Sequence, residues 1–376
     1  MHGRKAEEAF HQPHGILFMS APNLFPASVV GSMPRSHFVR DLIGGDAELS
    51  REEYGRRMDA AVRYIVAVQE QAGIDVVTDG EWRRKSYIGV VAELAHGFEL
   101  SHNPADGRPW TIVVDKLAPK TPGFIAREVT FVRGITSRKV KATLPSPALL
   151  GERMWDPDKS AKAYPKREEF VRACVPVLCR EVELLKQAGA DIIQIDDPHL
   201  CLFVDPDVRG GYDDPDRAAD FAVEMVNDVV AGLDGGVRLA VHLCRRAGAR
   251  ARGEAGHRGS FEPILGQLNR LKVGHLTMEF TAPGAGDCAV LRKLREDFEI
   301  GLGCVDVTPG KIDAPEIIAA RVREATKHLA AERITLNPDC GFAPGSGAAV
   351  SIEEAYQKLC NEAAAARMLR EEQGAR

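Results

Sequence analysis

Features that would define several other protein classes are missing from this sequence of 376 residues. No apolar run approaches the roughly 20 residues that a membrane-spanning helix needs. The stretch 1–26 is polar and lacks the long apolar core of a signal peptide. Eight cysteines are scattered without regular spacing, and a chain of this length needs no disulfide scaffold. We therefore expect a soluble cytoplasmic protein without a membrane partner.

Signs of nucleic-acid or nucleotide binding are also absent. A formal net charge of −5 gives no reason to expect nucleic acid as a partner. No Gly-rich phosphate loop follows the first strand-like segment, which argues against an open, doubly wound sheet. No Ser-His-Asp pattern indicates a protein nucleophile. What remains, 44% hydrophobic and 27% charged residues, is typical of a globular protein.

Strand-like and helix-like segments alternate along most of the chain. Short, almost continuously apolar segments suit strands that are buried on both faces of a parallel sheet. The helical periodicity between them suits crossover connections. The predicted strands are 28–34, 75–81, 140–144, 191–197, 237–244, 275–281, 299–306 and 333–337. Eight such units predict an α/β fold of the closed (β/α)8, or TIM-barrel, class.

We divide the chain into an N-terminal arm, 1–27, and one catalytic barrel, 28–376. A barrel of about 250 residues with insertions accounts for this length. The alternation breaks after the second strand, at about 82–138, where Trp110–Val114 and Glu128–Val132 have β character. This stretch is predicted to be a β-rich insertion that shapes a pocket.

Polar residues follow nearly every predicted strand, and the C-terminal ends of the strands carry the catalytic residues in barrels of this class. These positions are Ser32, Glu81, the loop 143–146, Asp196, Asp197, His242, Cys244, Glu279, Asp306, Asp339 and Cys340. An Asp in this position can also cap the following helix or turn. For Asp197 and Asp339 the capping and functional interpretations are equally favoured.

One group among these residues has the chemistry of a zinc site. His242 and Cys244 are two residues apart on a strand, so they project from the same face. Together with Glu279 and Cys340, they form a His/Cys/Glu/Cys set that is gathered from three strand ends and suits tetrahedral Zn²⁺. A non-catalytic ligand-binding barrel with structural zinc is the alternative. It is disfavoured because structural zinc ligands usually come in pairs that are local in sequence.

These strand-end motifs resemble the catalytic barrel of the cobalamin-independent methionine synthase family. The matching segments are Val30–Pro34, Asp79–Glu81, Ile193–Pro198, His242–Cys244, Glu279 and Asn337–Gly341. The resemblance implies zinc at the four residues named above and a thiol substrate that resembles homocysteine and attacks a methyl donor. It also implies that Glu81 and Asp196 bind the substrate amino group, and that Ser32 helps to hold its carboxylate.

Two substitutions relative to that family concern the alkyl donor. Thr308 stands where the family's Asp-Ile-His-Ser-Pro segment has a His implicated in protonating the leaving folate, and Asp197 replaces a Glu. Full-length members also have a second, N-terminal barrel for methylfolate, which we do not expect here. Methylfolate, methylcobalamin and an epoxide all stay open as donors. The epoxide would be opened by a sulfonated thiol, as in the epoxyalkane:coenzyme M transferases of the same family.

The remaining candidates are charged residues beside the strand ends. Arg35, Arg83 and Arg84 are placed to meet a carboxylate or a sulfonate. Asp196 and Asp306 are candidate catalytic acids. We expect the partners to be a small-molecule thiol and an alkyl donor. A homo-oligomer and a methyl-donor protein are the macromolecular partners left open.

Overall fold

The computed structural model describes residues 24–45, 49–102, 109–233, 235–246, 256–282, 284–343 and 350–374. Most of the predicted arm, residues 1–23, lies outside the described residues. The strands are β1 (Val76–Val77), β2 (Ala95–His102), β3 (Pro109–Pro119), β4 (Lys139–Pro145), β5 (Ile192–Asp196), β6 (Arg238–Leu243), β7 (His275–Glu279), β8 (Glu299–Val305) and β9 (Ile334–Pro338). The α-helices are α1 (His37–Gly44), α2 (Arg51–Ala72), α3 (Val91–Leu94), α4 (Phe124–Arg133), α5 (Pro147–Met154), α6 (Arg167–Gln187), α7 (Pro198–Leu202), α8 (Pro206–Arg209), α9 (Pro215–Val229), α10 (Leu265–Leu268), α11 (Pro315–Thr326) and α12 (Ile352–Glu372). Short 3₁₀ turns span Glu262–Ile264, Cys288–Lys293 and Ala331–Arg333.

Seven of these strands form one parallel sheet in the order β1-β4-β5-β6-β7-β8-β9. Every residue of β5, β7 and β9 is buried, as expected for strands covered on both faces. The predicted α/β class with a parallel sheet is therefore confirmed. No helix within the described ranges is long and apolar enough to cross a membrane.

The segment predicted as the first strand, 28–34, forms one isolated bridge, and Ala27 just before it forms another. Ala27 pairs with Leu336 of β9, and Ser28 pairs with Val76 of β1, both in parallel. Further along, side chains from inside the sheet take the backbone carbonyls: Lys141 donates to Val29 O at 2.7 Å, Gln194 to Val30 O at 3.1 Å and Thr78 to Gly31 O at 2.7 Å. Side chains thus provide the donors for three carbonyl oxygens of this segment.

The stretch after β1 is only partly the β-rich insertion that the sequence predicts. Strands β2 and β3 form an antiparallel hairpin, but the predicted β patch Glu128–Val132 lies inside helix α4, so that prediction is wrong. The Glu181 carboxylate accepts hydrogen bonds from the N–H groups of Gly123 and Ile125, both at 2.7 Å, and Ala126 at 3.0 Å. A distant residue thus satisfies the free N–H groups at the start of this helix.

Candidate metal and thiol site

Three of the four predicted metal ligands come together in the structure. His242 is the penultimate residue of β6, Cys244 directly follows that strand, and Cys340 follows β9. Their ligand atoms all lie within 4.8 Å of one another, and all three residues are buried. Two strands separate β6 from β9, which in a flat sheet would place them about 14 Å apart. The strong curvature of the sheet therefore assembles this cluster.

The cluster fits a zinc ion. The Sγ atoms of Cys244 and Cys340 are 3.6 Å apart, and two thiolates bound tetrahedrally with Zn–S bonds of about 2.3 Å would lie about 3.8 Å apart. Both ring nitrogens of His242 are buried without a hydrogen-bond partner among the described residues. Buried polar atoms rarely lack a partner, so the imidazole has an unused ligand position. Thiolate and imidazole are the donors that Zn²⁺ prefers.

The two cysteines form a coupled pair. The hydrogen bond between them lowers the pKa of Cys244 well below its usual value, and the nearby His242 acts in the same direction. The same contact raises the pKa of Cys340. Burial acts to lower the pKa of His242, but the negative charge on Cys244 outweighs it and the pKa of the imidazole is raised. One thiolate is thus stabilised in a buried position, where a metal cation would be attracted.

Glu279, the fourth predicted ligand, lies beside this cluster but outside it. It is the last residue of β7 and fully buried. One of its carboxylate oxygens accepts a hydrogen bond from the backbone N–H of Arg245, and the buried Arg245 guanidinium donates to Glu279 O at 3.0 Å. The carboxylate contributes to the raised pKa of Cys340. Its role as the fourth ligand stays a prediction.

Glu81 sits on a strained turn at the end of β1. Just after β1, the Gln69 side chain accepts a hydrogen bond from Thr78 N at 3.0 Å and donates one to Thr78 O at 2.9 Å. Gly80 (φ 70°) and Glu81 (φ 58°) then adopt the left-handed conformation, which residues other than glycine seldom adopt. Arg35 holds the turn by donating to Glu81 O at 2.9 Å. Strain of this kind concentrates at functional sites.

Asp196, the second predicted amino-group ligand, lies next to the metal cluster. It is the register partner of His242 across β5 and β6. Gln194 donates to its Oδ1 atom at 2.8 Å. Burial raises its pKa to about 7, and the charges of Glu81 and Cys244 add to this effect against the opposing influence of His242. Two buried acids close to one another are stabilised by a cation between them, so an ammonium group suits this position.

Ser32 joins the loop after β9 to the rest of the site. Its Oγ accepts from Ala343 N at 3.2 Å, and its backbone oxygen accepts from Phe342 N at 2.9 Å. A Cβ atom on Gly341 would lie 2.2 Å from Ser32 Oγ. Only glycine therefore allows the Cys340 loop to approach Ser32 this closely.

The three remaining aspartates have local partners. Asp197 accepts from Leu200 N at 2.8 Å as the N-cap of α7, and Asp339 accepts from Phe280 N and Thr281 N, both at 3.2 Å. Asp197 therefore fits the capping interpretation, whereas Asp339 binds the segment that follows β7, far from it in the sequence. Although burial acts to raise it, the pKa of Asp306 is held below its usual value by hydrogen bonds from Thr308 and by Lys311. A carboxyl group of this kind is ionised near neutral pH and does not donate a proton.

Each of the three candidate arginines already has a partner within the protein, and its role toward a carboxylate or a sulfonate stays a prediction. Arg83 pairs with Asp59 of α2 and lies over the Phe131 ring at 4.8 Å, away from the cysteine cluster. Arg35 is committed to backbone oxygens of the Glu81 turn. Buried Arg84 pairs with Glu128 of α4 at 2.9 Å and lies 3.7 Å from Glu81. Sequence reasoning missed Glu128, because it assigned that segment to a strand.

Comparison with known proteins adds independent information. The family whose sequence model is described as "Cobalamin-independent synthase, Catalytic domain" matches residues 25–367. A protein of Saccharolobus solfataricus named methionine synthase is 28% identical over 364 residues, covering 94% of this chain and 97% of its own length. A B12-independent methionine synthase from Shewanella sp. W3-18-1, solved in complex with selenomethionine, superposes with a TM-score of 0.77 at 23% identity, covering 93% of this chain and 99% of that one. A methyltransferase from Methanosarcina mazei gives a TM-score of 0.57 at 15% identity, covering 92% and 94%.

Proposed function

Because this chain belongs to the cobalamin-independent synthase family through its catalytic domain, we propose that it transfers a methyl group to the thiol of homocysteine and depends on zinc to do so. The observation that carries this proposal is the buried acid pair, Glu81 and Asp196, beside the metal cluster. An amino thiol substrate has both groups that this arrangement can bind: a sulfur for the metal cluster and an ammonium group for the two acids. The relative named methionine synthase, which matches along nearly its whole length, supports the same assignment.

Each part of the site has a role in this reaction. His242, Cys244 and Cys340 would hold the zinc ion, with Glu279 as the fourth ligand. When bound, zinc lets a thiol bind as its thiolate near neutral pH. Glu81 and Asp196 accept hydrogen bonds from the substrate ammonium, and Ser32 with its neighbouring backbone holds the carboxylate. The homocysteine sulfur attacks the methyl carbon in one displacement, so no residue of the chain acts as a nucleophile.

The choice of methyl donor depends on whether the loop after β8 has a side chain that can protonate the leaving group. Thr308 cannot act as an acid near neutral pH, and the pKa of Asp306 is lowered by its hydrogen bonds. A leaving folate amine needs a proton, and general acid catalysis is typically worth about 10²–10⁴-fold. We therefore propose that a methylcobalamin-type donor, whose leaving group needs no proton, is used in preference to methylfolate.

Epoxide opening by coenzyme M is the weaker alternative. A sulfonate would meet the acids Glu81 and Asp196 in place of an ammonium, and like charges repel in a buried site. Arg83, which the sequence suggested as a sulfonate ligand, is paired with Asp59. The charge distribution therefore favours an amino thiol over a sulfonated thiol.

The test supplies zinc-loaded protein and homocysteine with methyltetrahydrofolate, methylcobalamin or a small epoxide in parallel, and then repeats the series with coenzyme M. We expect methionine to form fastest with methylcobalamin. Rapid turnover with the folate alone would contradict the donor assignment. Turnover only with the epoxide and coenzyme M would overturn the choice of thiol as well.

Two finer statements belong to the same proposal. We propose that the segment at Ala27 and Ser28 acts as an eighth strand, so that the sheet closes into a (β/α)8 barrel from 28 to 376. Its pairing with both β9 and β1 supports this. We also propose a cytoplasmic location, supported by the eight cysteines, all of which are free thiols.

A further inference from the structure

A buried chain of polar contacts runs from helix α4 to the acid that we assign to the substrate ammonium. Glu128 and Arg84 are 3% and 2% exposed. Arg84 donates to Glu128 Oε2 from Nη2 at 2.9 Å and from Nε at 3.1 Å. The adjoining cavity of about 10 Å³ has space for about one water at most. Both side chains are thus almost entirely removed from bulk solvent, and solvent can replace the partner of either one only poorly.

The other side of Arg84 sets the direction of a hydroxyl proton. Arg84 Nη1 donates to Thr143 O and Thr143 Oγ1, both at 3.0 Å. Thr143 Oγ1 in turn lies 2.8 Å from Glu81 Oε1. A guanidinium can only donate hydrogen bonds, so the Thr143 hydroxyl accepts from Arg84 and must direct its single proton to Glu81. Glu81 Oε1 is thereby fixed as an acceptor.

Glu128 and Glu81 compete for the guanidinium group of Arg84. Arg84 lies 3.7 Å from Glu81 Oε1, beyond a direct hydrogen bond, while it binds Glu128 at 2.9 Å. A buried cation without Glu128 would need a carboxylate partner. Glu81, at 3.7 Å from Arg84, acts on it more strongly than Asp79, which lines the same cavity. Glu81 would then be drawn into a direct ion pair and would be less available to a substrate ammonium.

We propose that Glu128 is a positioning residue for the amino thiol: by holding Arg84, it orients the Thr143 hydroxyl and leaves Glu81 available to the substrate ammonium. This inference rests on the proposed function, because it assumes that Glu81 binds the amino group. It adds a residue from helix α4, outside the strand ends, to the determinants of substrate selectivity.

The experiment compares binding of homocysteine with binding of 4-sulfanylbutanoate, which has the same thiol and carboxylate but no amino group. Calorimetric titration of the zinc-loaded protein gives both affinities. We expect Glu128→Gln to weaken homocysteine about tenfold, the scale of a hydrogen bond to a charged group, and to change binding of the analogue by less than about twofold. Asp59→Asn is the matched control, since Asp59 lines the same outer pocket as Glu128 but has no contact with Arg84, and should leave both affinities unchanged.

A second pair of variants keeps the test decisive if Glu128→Gln is too unstable to measure. Thr143→Val removes the hydroxyl and should reproduce the selective loss, whereas Thr143→Ser keeps the hydroxyl and should restore selectivity. Equal weakening of both ligands in Glu128→Gln or Thr143→Val would indicate a merely structural role and overturn the inference. Full selectivity in both variants would overturn it too. A wild-type protein that does not prefer homocysteine to the analogue would instead refute the proposed function.

Discussion

Replacing Gly31 by alanine tests the placement of Glu81 from an independent direction. A Cβ atom at Gly31 would lie 2.7 Å from Glu81 Oε1 and 3.0 Å from Thr143 Cγ2. Something must move, and the end of the Glu81 side chain is the most mobile of these groups. The substitution therefore acts on the proposed ammonium site more than on the backbone.

The size of the effect follows from that distance. Relieving the contact to an ordinary C···O separation of about 3.3 Å moves the Glu81 carboxylate by about 0.6 Å. We expect Gly31→Ala to cost about 1–2 kcal/mol of unfolding free energy, within the range for overpacking. Homocysteine affinity should fall about tenfold, because a hydrogen bond to a charged group is worth about 1.5–3 kcal/mol and is only partly lost.

Two other glycines serve as controls for this experiment. At Gly303 an added Cβ would meet backbone, Met278 O at 2.6 Å and Glu279 Cα at 3.0 Å, so Gly303→Ala should destabilise the protein more than Gly31→Ala. At Gly266 the nearest atom is the flexible end of Arg270 at 3.9 Å, and alanine there should be tolerated. Urea denaturation and calorimetric titration give both quantities. A folded Gly31→Ala variant that binds homocysteine as tightly as the wild type would refute the assignment of Glu81.

Two further predictions concern the metal and the pH dependence of stability. Elemental analysis of the purified protein should find about one zinc per chain. Cys244→Ser and Cys340→Ser should lose most of this zinc, while Asp196→Asn should keep it. Full retention of zinc in both serine variants would contradict the ligand assignment. Burial raises the pKa of Glu362 from 4.5 to about 8, although the Ser28 N–H opposes this. A carboxyl group whose pKa is raised by folding stabilises the folded state at low pH, and this stabilisation is lost as the pH rises from about 4.5 to 8. The free energy of unfolding of the wild type should therefore fall by on the order of 3–5 kcal/mol relative to Glu362→Gln over that range. Urea denaturation at both ends of the range would detect it, and a constant difference between the two proteins would argue against a buried, protonated Glu362.

The site residues that could be predicted from the sequence are those that directly follow or end an apolar, strand-like run. His242 lies near the end of β6 and Cys244 directly follows it, and the apolar run before them indicates a buried strand. Asp196 ends an equally apolar run, Ile192–Asp196, so its position at the sheet edge follows from the same pattern. Parallel strands then place such residues at one edge of the sheet. His242, Cys244 and Cys340 could therefore be named from the sequence pattern. The amino-group role of Glu81 and Asp196 came from the family resemblance and stays a prediction.

The supporting residues depended on contacts between distant parts of the chain. The run Glu128–Val132 has the β-branched and aromatic residues typical of a strand, yet its helix is capped by Glu181, more than 50 residues later. With that helix unrecognised, the pairing of Glu128 with Arg84 could not be inferred. Likewise, nothing in the segment 28–34 indicates that Lys141 and Gln194 occupy its carbonyl oxygens.

The bridges at Ala27 and Ser28 have a consequence for synthesis of the chain. Strands β1 and β4 to β9 join the sheet in the order in which they leave the ribosome, so each can pair with its predecessor. The partner of Ala27 is Leu336, which at about 5–20 residues per second follows some 15–60 s later. Until then the segment at Ala27 and Ser28 has β1 on one side only, and open edges invite pairing with other chains. Ser32 meets Phe342 and Ala343 in the same late event. A nascent chain that stalls before β9 would have much of its sheet but no substrate site.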